Sequence, residues 1–232
     1  MNGPKKDFKI SLSSFFINCR CSYCCKFEPI NMDTKINLSD QELQLAYNTD
    51  WILTKQKITA SVYQLFGELS CSINEELMSA ADRIPEEVIA SIPKIHKGEN
   101  YLQLPYVMLD HPRCFGKQDI FALRTLFWWG NFFSCTILLE GKYKKLFDSA
   151  LTKNLIESDA EFHICINEDK WQHHFNNDNY CSVKSLGQDQ IEKIIAEKEF
   201  IKIAVQYPLQ KWHKISSLLK ADIKKLLCLL KN

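Results

Sequence analysis

Apolar and polar residues alternate along this chain in patterns that predict several helices. Between Ile58 and Leu77 the apolar residues recur every three or four positions, which is the spacing of one helix face. Ser39 and Glu42 have the spacing of a capping box, which predicts a helix start there, and Pro85 suits the first turn of another short helix. Helical spacing also predicts helices over about 143–155, 189–197 and 209–230.

Extended apolar runs predict about five strands, over 101–109, within 120–140, and over 161–167 and 200–207. Pro105 lacks a backbone donor, so the first of these strands is expected at a sheet edge or at a bulge. Residues 95–100 read as turn residues and 110–118 as a polar loop. The order of elements predicts an α+β fold in which helices pack against a mainly antiparallel sheet, with an N-terminal helical segment and a long C-terminal helix.

Gly130-Asn131 predicts a tight hairpin in the middle of the chain, because glycine and a small polar residue suit a type II′ turn. In that register Trp129 faces Phe132, and Arg124 lies opposite Ile137. Both faces of the hairpin are then largely apolar, which predicts a central position in the sheet.

Arg124 is the most informative residue of this hairpin, because a guanidinium keeps its charge and is costly to bury alone. Asp119, Asp110 or Glu140 could supply a structural partner for it. Alternatively, a ligand carboxylate or phosphate could bind it in a bidentate manner. The second alternative predicts an anion site with Arg124, Arg113 and Asp119, walled by Trp128 or Trp129.

Histidines and one cysteine are the weaker candidates for chemistry. His111 and Cys114 could form a nucleophilic pair if the imidazole reaches the thiol. His111, His163 and His173 could converge on a metal ion, as zinc sites require. The alternatives are a surface turn with a packed cysteine and histidines that are exposed or satisfied in the core.

Composition and charge narrow the class of protein. The chain balances 29 basic against 28 acidic residues, so its net charge favours neither nucleic acid nor an anionic membrane. The sequence lacks the glycine-rich phosphate and dinucleotide motifs as well as the common zinc-protease and serine-hydrolase motifs, and no cofactor is implied. No segment is apolar enough for a membrane span.

The ten cysteines fall into two groups. Six are scattered, mostly within apolar patterns, and are expected to be reduced in a soluble cytoplasmic protein. Four lie within residues 19–25 and could bind a soft metal, although an unstructured thiol-rich tail is the simpler interpretation. Residues 1–31 are expected to be a disordered tail or an extension upstream of Met32, followed by one domain over 32–232.

These observations favour a non-catalytic binding module for a small anionic ligand or a protein partner. The first alternative is a hydrolase that uses His111 with Cys114 or a histidine-bound metal. The second is an oligomeric structural protein whose aromatic face is a subunit interface. A pocket with Arg124 and no carboxylate would favour ligand binding, and three converging histidines would favour metal chemistry. If the structure shows neither pattern, the subunit-interface alternative remains.

Overall fold

Residues 37–231 are described by the structure, which is a computed structural model. The predictions for residues 1–31, including the four clustered cysteines, lie outside the described residues. The chain divides into two units between Asn48 and Thr49. The domain boundary expected at residue 31 stays a prediction.

Helix α1 spans Asp40–Tyr47 in the first unit and begins as its sequence predicts. The amide of Glu42 donates to Ser39 Oγ at 3.3 Å, and the Glu42 carboxylate accepts from the Ser39 amide at 2.7 Å. These two bonds satisfy amides that the first helical turn leaves without intrahelical partners. The predicted capping box is confirmed.

Five further helices belong to the second unit in the described part of the chain. They are α2 (Thr49–Met78), α3 (Glu86–Ile89), α4 (Lys142–Ile156), α5 (Gln188–Glu197) and α6 (Ile215–Cys228). The apolar stripe of α2 is buried from Val62 to Leu77, whereas most of its first turns are exposed. The predicted C-terminal helix starts later than expected, because its first six residues, Leu209–Lys214, form a 3-10 helix.

The sheet is antiparallel and has seven strands in the described residues, rather than about five. The strands are β1 (Lys94–Tyr101), β2 (Leu104–Phe115), β3 (Ile120–Trp128), β4 (Phe132–Glu140), β5 (His163–Cys165), β6 (Tyr180–Ser182) and β7 (Phe200–Pro208). Their order across the sheet is β1-β2-β3-β4-β7-β5-β6. The α+β class is therefore confirmed, and the strand count is corrected.

Two stretches expected to be loops are strands. β1 occupies the turn predicted over 95–100, and β2 continues through residues 110–115 of the predicted polar loop. β1 is an edge strand with few buried residues, so its sequence carries no clear apolar alternation. Pro105 lies in an interior strand, but the β1–β2 register shifts between Gly98 and Tyr101 in the same region.

The central hairpin forms, although its register differs by one residue from the predicted one. Trp128 pairs with Phe132 across a three-residue loop in which Gly130 has a φ of 71°. Arg124 therefore pairs with Thr136 instead of Ile137. Because side chains alternate between sheet faces, this shift exchanges the two faces of β4 relative to β3.

The sheet has two unlike faces. Residues of α2, α4, α5 and α6 pack on one face and form the main hydrophobic core with β3 and β4. The opposite face carries two smaller apolar clusters. Between these clusters lies Arg124, and the irregular chain over residues 166–179 crosses above it.

Gly141 joins β4 to α4 with a φ of 61°, and a Cβ there would collide with the Gln118 carbonyl and the Asp119 carboxylate. We expect Gly141→Ala to lower the free energy of unfolding by about 2 kcal/mol or more, because backbone strain and collision add. Gly67→Ala is the control: it lies within α2, and its Cβ meets nothing within 4 Å. It should raise the free energy of unfolding by about 0.5–1 kcal/mol in urea unfolding. Equal effects of the two substitutions would contradict the geometry at Gly141.

Candidate functional site

Arg124 is held by a carboxylate of the neighbouring strand. Asp110 pairs directly with Arg124 in the β2–β3 register. Arg124 Nε lies 2.7 Å from Asp110 Oδ1, and its Nη2 lies 3.0 Å from Oδ2, which is the bidentate geometry of a strong ion pair. The Asp110 side chain is only 3% exposed and that of Arg124 15%. The structural ion pair is thus the arrangement that the chain adopts.

The other two carboxylates considered for Arg124 have different partners. Glu140 accepts two hydrogen bonds from Lys170 Nζ, at 2.7 and 2.5 Å. Asp119 Oδ1 accepts from the Lys142 amide at 2.7 Å and so satisfies a donor at the start of α4. Asp119 therefore has a structural contact and lies apart from Arg124.

The remaining sides of the Arg124 guanidinium contact the rings of neighbouring side chains. Arg124 Nη1 lies 3.4 Å from His173 Nε2. Desolvation of the ring, together with the nearby Arg124 charge, holds the pKa of His173 well below its usual value. His173 is therefore neutral at neutral pH, and its ring nitrogen can accept a hydrogen bond from the arginine.

Tyr101 fixes the chain that crosses above Arg124. Its hydroxyl accepts from the amides of His173 and His174 at 2.6 and 3.1 Å. Beside it lies a cavity of about 110 Å³, lined in part by Tyr101, Leu126 and His173. Such a space holds only a few water molecules, at about 30 Å³ each.

Lys202 is a second buried cation on this face. It is 2% exposed, its amine donates to the Gln172 carbonyl, and it lies 5.2 Å from the centre of the Tyr180 ring. Within residues 37–231, no carboxylate lies within ion-pair distance of it. Burial lowers the pKa of Lys202 to about 8.

The structure gathers a different set of aromatic residues around the arginines than the sequence predicts. Trp128 is buried near the hairpin loop, 5.1 Å from Tyr101, and Trp129 lies against Phe127 on the helix-covered face. Among the described residues, the guanidinium groups of Arg124 and Arg113 lie over the rings of Phe115 and Trp171, and not over those of Trp128 or Trp129. The structure thus brings the two predicted arginines to one ring, that of Phe115, and places the two predicted tryptophans elsewhere.

Phe115 and Trp171 lie beside the arginines instead. Their ring centres are 5.9 Å apart, and the Arg124 guanidinium lies 5.8 Å from the first ring and 5.6 Å from the second. Arg113 lies 6.0 Å from the Phe115 ring, and Lys170 lies 5.8 Å from the Trp171 ring. We refer to these five residues as the aromatic–cation patch.

Sequence reasoning missed both rings of the patch. Phe115 follows Arg113 by two positions in β2, so the period of a strand would have placed them on one face if that strand had been recognised. Trp171 lies in irregular chain, where no periodicity indicates which surface a side chain meets.

The candidate nucleophilic pair is not joined. Cys114 Sγ donates to the Glu87 carbonyl at 3.4 Å, while His111 is 2% exposed and lines a groove beside α2. No hydrogen bond links their side chains among the described residues, and His111 Nδ1 has no partner there. Burial raises the pKa of Cys114 and lowers that of His111, which leaves both groups neutral near pH 7.

The three candidate metal histidines lie in separate surroundings. His173 is beside the Arg124 cation, and the His163 ring packs 5.2 Å from that of Phe175. In the part of the chain that the structure covers, no group of three or more His, Cys, Asp or Glu side chains is placed to hold a metal ion.

Comparisons with known proteins do not assign this arrangement. No protein-family model matches the sequence, and no curated protein or solved structure matches the chain. Among the helices of residues 37–231, none combines the length and the apolar character needed to cross a membrane.

Lys202 generates a pH-dependent prediction. Its pKa is about 8 in the folded protein against 10.5 for an ordinary lysine. Between these values the unfolded chain binds more protons than the folded protein, so the free energy of unfolding rises with pH across this window. We expect Lys202 to contribute a rise of up to about 3 kcal/mol, which Lys202→Met removes.

The measurement is urea unfolding of both proteins at several pH values between about 7.5 and 10.5, the two ends of this titration. Because every other group titrates in both proteins, the difference between their free energies of unfolding isolates Lys202. A difference that stays constant across the window would contradict the buried position of this amine.

Proposed function

We propose that the protein is a non-catalytic binding module whose aromatic–cation patch docks an acidic segment of a protein partner. The observation that carries the proposal is the contact between two partly exposed large rings, Phe115 and Trp171, with cations on both sides of them. Phe115 is 39% exposed and Trp171 43%. Exposed Trp, Phe and Arg side chains are the types most enriched at the centres of protein interfaces.

The charges of the patch support an anionic partner. Asp110 pairs with Arg124, and Glu140 pairs with Lys170. The two carboxylate side chains are buried, with only 3% of Asp110 and 13% of Glu140 exposed. Arg113 has no carboxylate within ion-pair distance among residues 37–231. Asp110 and Glu140 therefore lie behind the cations and rings that a partner would meet. The exposed Asp169, which accepts from the Trp171 amide at 2.9 Å, is a carboxylate at the edge of the patch.

The shape of the surface favours a protein over a small anionic ligand. Small ligands are bound in concave sites that bury most of their surface. The patch instead presents two partly exposed rings at the surface, and the cavity next to His173 measures only about 110 Å³. A short acidic segment that also carries an apolar side chain fits this combination of rings and charges.

The hydrolase alternative has less support. Catalysis by a nucleophile needs a base within hydrogen-bond reach, and His111 and Cys114 have separate surroundings. His173 and Lys202 have hydrogen-bond partners within the protein.

The expected cytoplasmic location stays a prediction.

The experiment is a selection of random-sequence peptides on the immobilised full chain, followed by measurement of Kd for the selected peptides. We expect the selected peptides to be enriched in Asp and Glu over Lys and Arg. Trp171→Ala and Arg113→Gln should each weaken binding about tenfold or more, because each removes a central contact of the interface.

Matched controls are Leu146→Ala, which removes another exposed apolar side chain, and Lys57→Gln, which removes another exposed charge. Both should leave Kd unchanged. The proposal fails if the selected peptides show no acidic enrichment, or if the patch variants bind them as tightly as the controls do.

A further inference from the structure

The exposed side of the C-terminal helix carries a concentration of positive charge. Leu209–Lys231 contains six lysines and one aspartate, although the whole chain is nearly balanced at 29 basic and 28 acidic residues. Asp222, the one acid, is buried and is bonded to Tyr207 and Lys225. The other five lysines have no carboxylate within ion-pair distance among residues 37–231.

Three of these lysines form what we call the lysine row. Lys220 and Lys224 are four residues apart in α6 and are therefore neighbours on one side of the helix. Lys231 follows the last turn and is also exposed. Lys220 and Lys224 are exposed while the apolar stripe of α6 is buried, so these two side chains face away from the core.

An acidic groove lies on the same face of the molecule. α4 and α5 border a groove of about 650 Å³, which has Ile156 and Ile195 among its lining residues. Its lining includes three carboxylates, those of Asp148, Glu157 and Glu192, and one cation, Lys153. The Asp148 carboxylate is already paired with Lys144 at 3.2 Å. Glu157 and Glu192 are exposed and have no ion pair within the described chain.

The lysine row and the acidic groove belong to one continuous surface. α4, α5 and α6 all pack on the same face of the sheet. Asn154 of α4 donates to the Leu229 and Lys231 carbonyls at 3.1 and 2.7 Å, which places Lys231 next to α4, one of the two helices that border the groove. Two complementary features that are adjacent on one surface can both be matched by a twofold axis.

We propose that this surface binds a second copy of the chain, with the lysine row of each copy over the acidic groove of the other. The aliphatic stems of the lysines cover the apolar lining of the groove, while their ammonium groups reach its carboxylates. A twofold arrangement makes both contacts at once and closes the assembly as a dimer. The aromatic–cation patch is on the other sheet face and stays available.

Charge reversal tests the pairing directly. Sedimentation velocity of the full chain at increasing concentration should show a dimer at about 50 mM salt. The association constant should fall about tenfold or more at about 500 mM salt, since the contacts are exposed ion pairs that salt screens. The row variant Lys220→Glu/Lys224→Glu and the groove variant Glu157→Lys/Glu192→Lys should each be monomeric alone.

An equimolar mixture of the two variants should restore the dimer, because each acidic row then meets a basic groove and each basic row meets an acidic groove. The control Lys57→Glu/Lys117→Glu reverses two exposed lysines elsewhere and should dimerise like the unsubstituted chain. Circular dichroism of each variant checks that it is folded.

Three results would overturn the proposal. The first is an unsubstituted chain that stays monomeric at low salt, and the second is a variant mixture that stays monomeric. The third is growth of open polymers instead of dimers. If the chain stays monomeric, binding of poly-glutamate through the lysine row would assign the surface to an acidic protein partner instead.

Discussion

The ion pair between Arg124 and Asp110 is the interaction on which the organisation of the second sheet face depends. A permanently charged guanidinium stands on a central strand, where leaving it unpaired would cost several kcal/mol. The β2–β3 register sets Asp110 directly beside it, and the pairing of β3 with β4 gives it Thr136 as its neighbour on the other side. The alignment of three strands is thereby linked to one charge.

Irregular chain, rather than a helix, covers the charged groups of this face. A helix offers mainly apolar side chains to a sheet, whereas residues 166–179 bring a neutral imidazole to Arg124 and a backbone carbonyl to Lys202. Tyr101 holds this chain in place through two amides. Its outer edge carries Trp171 onto Phe115, so the aromatic–cation patch is the surface end of the buried charge cluster.

The helices and the central hairpin could be predicted from the sequence because their signals are local. Apolar spacing and caps mark the helices, and Gly130 marks the reversal of the chain. The need of Arg124 for an anion is also visible from the sequence. The sequence does not show which carboxylate pairs with Arg124. The pairing with Asp110 depends on β2 continuing beyond Leu109 and on the register between β2 and β3.

The other features that the sequence did not predict have related physical causes. β1 is an edge strand with little apolar alternation, and β6 has only three residues, so neither has the periodicity that identifies a strand. A three-residue loop in place of a two-residue turn exchanges the faces of β4. Trp171 reaches the patch through irregular chain, whose path follows from tertiary contacts instead of local pattern.

A double-mutant cycle on the free energy of unfolding tests the central ion pair most directly. Arg124→Met and Asp110→Leu should each lower this free energy by about 3 kcal/mol or more, because each leaves its partner as an uncompensated buried charge. The double variant should lose much less than the sum of the two, since it buries no charge at this position. Losses that simply add would show that the two residues act independently, which contradicts the account.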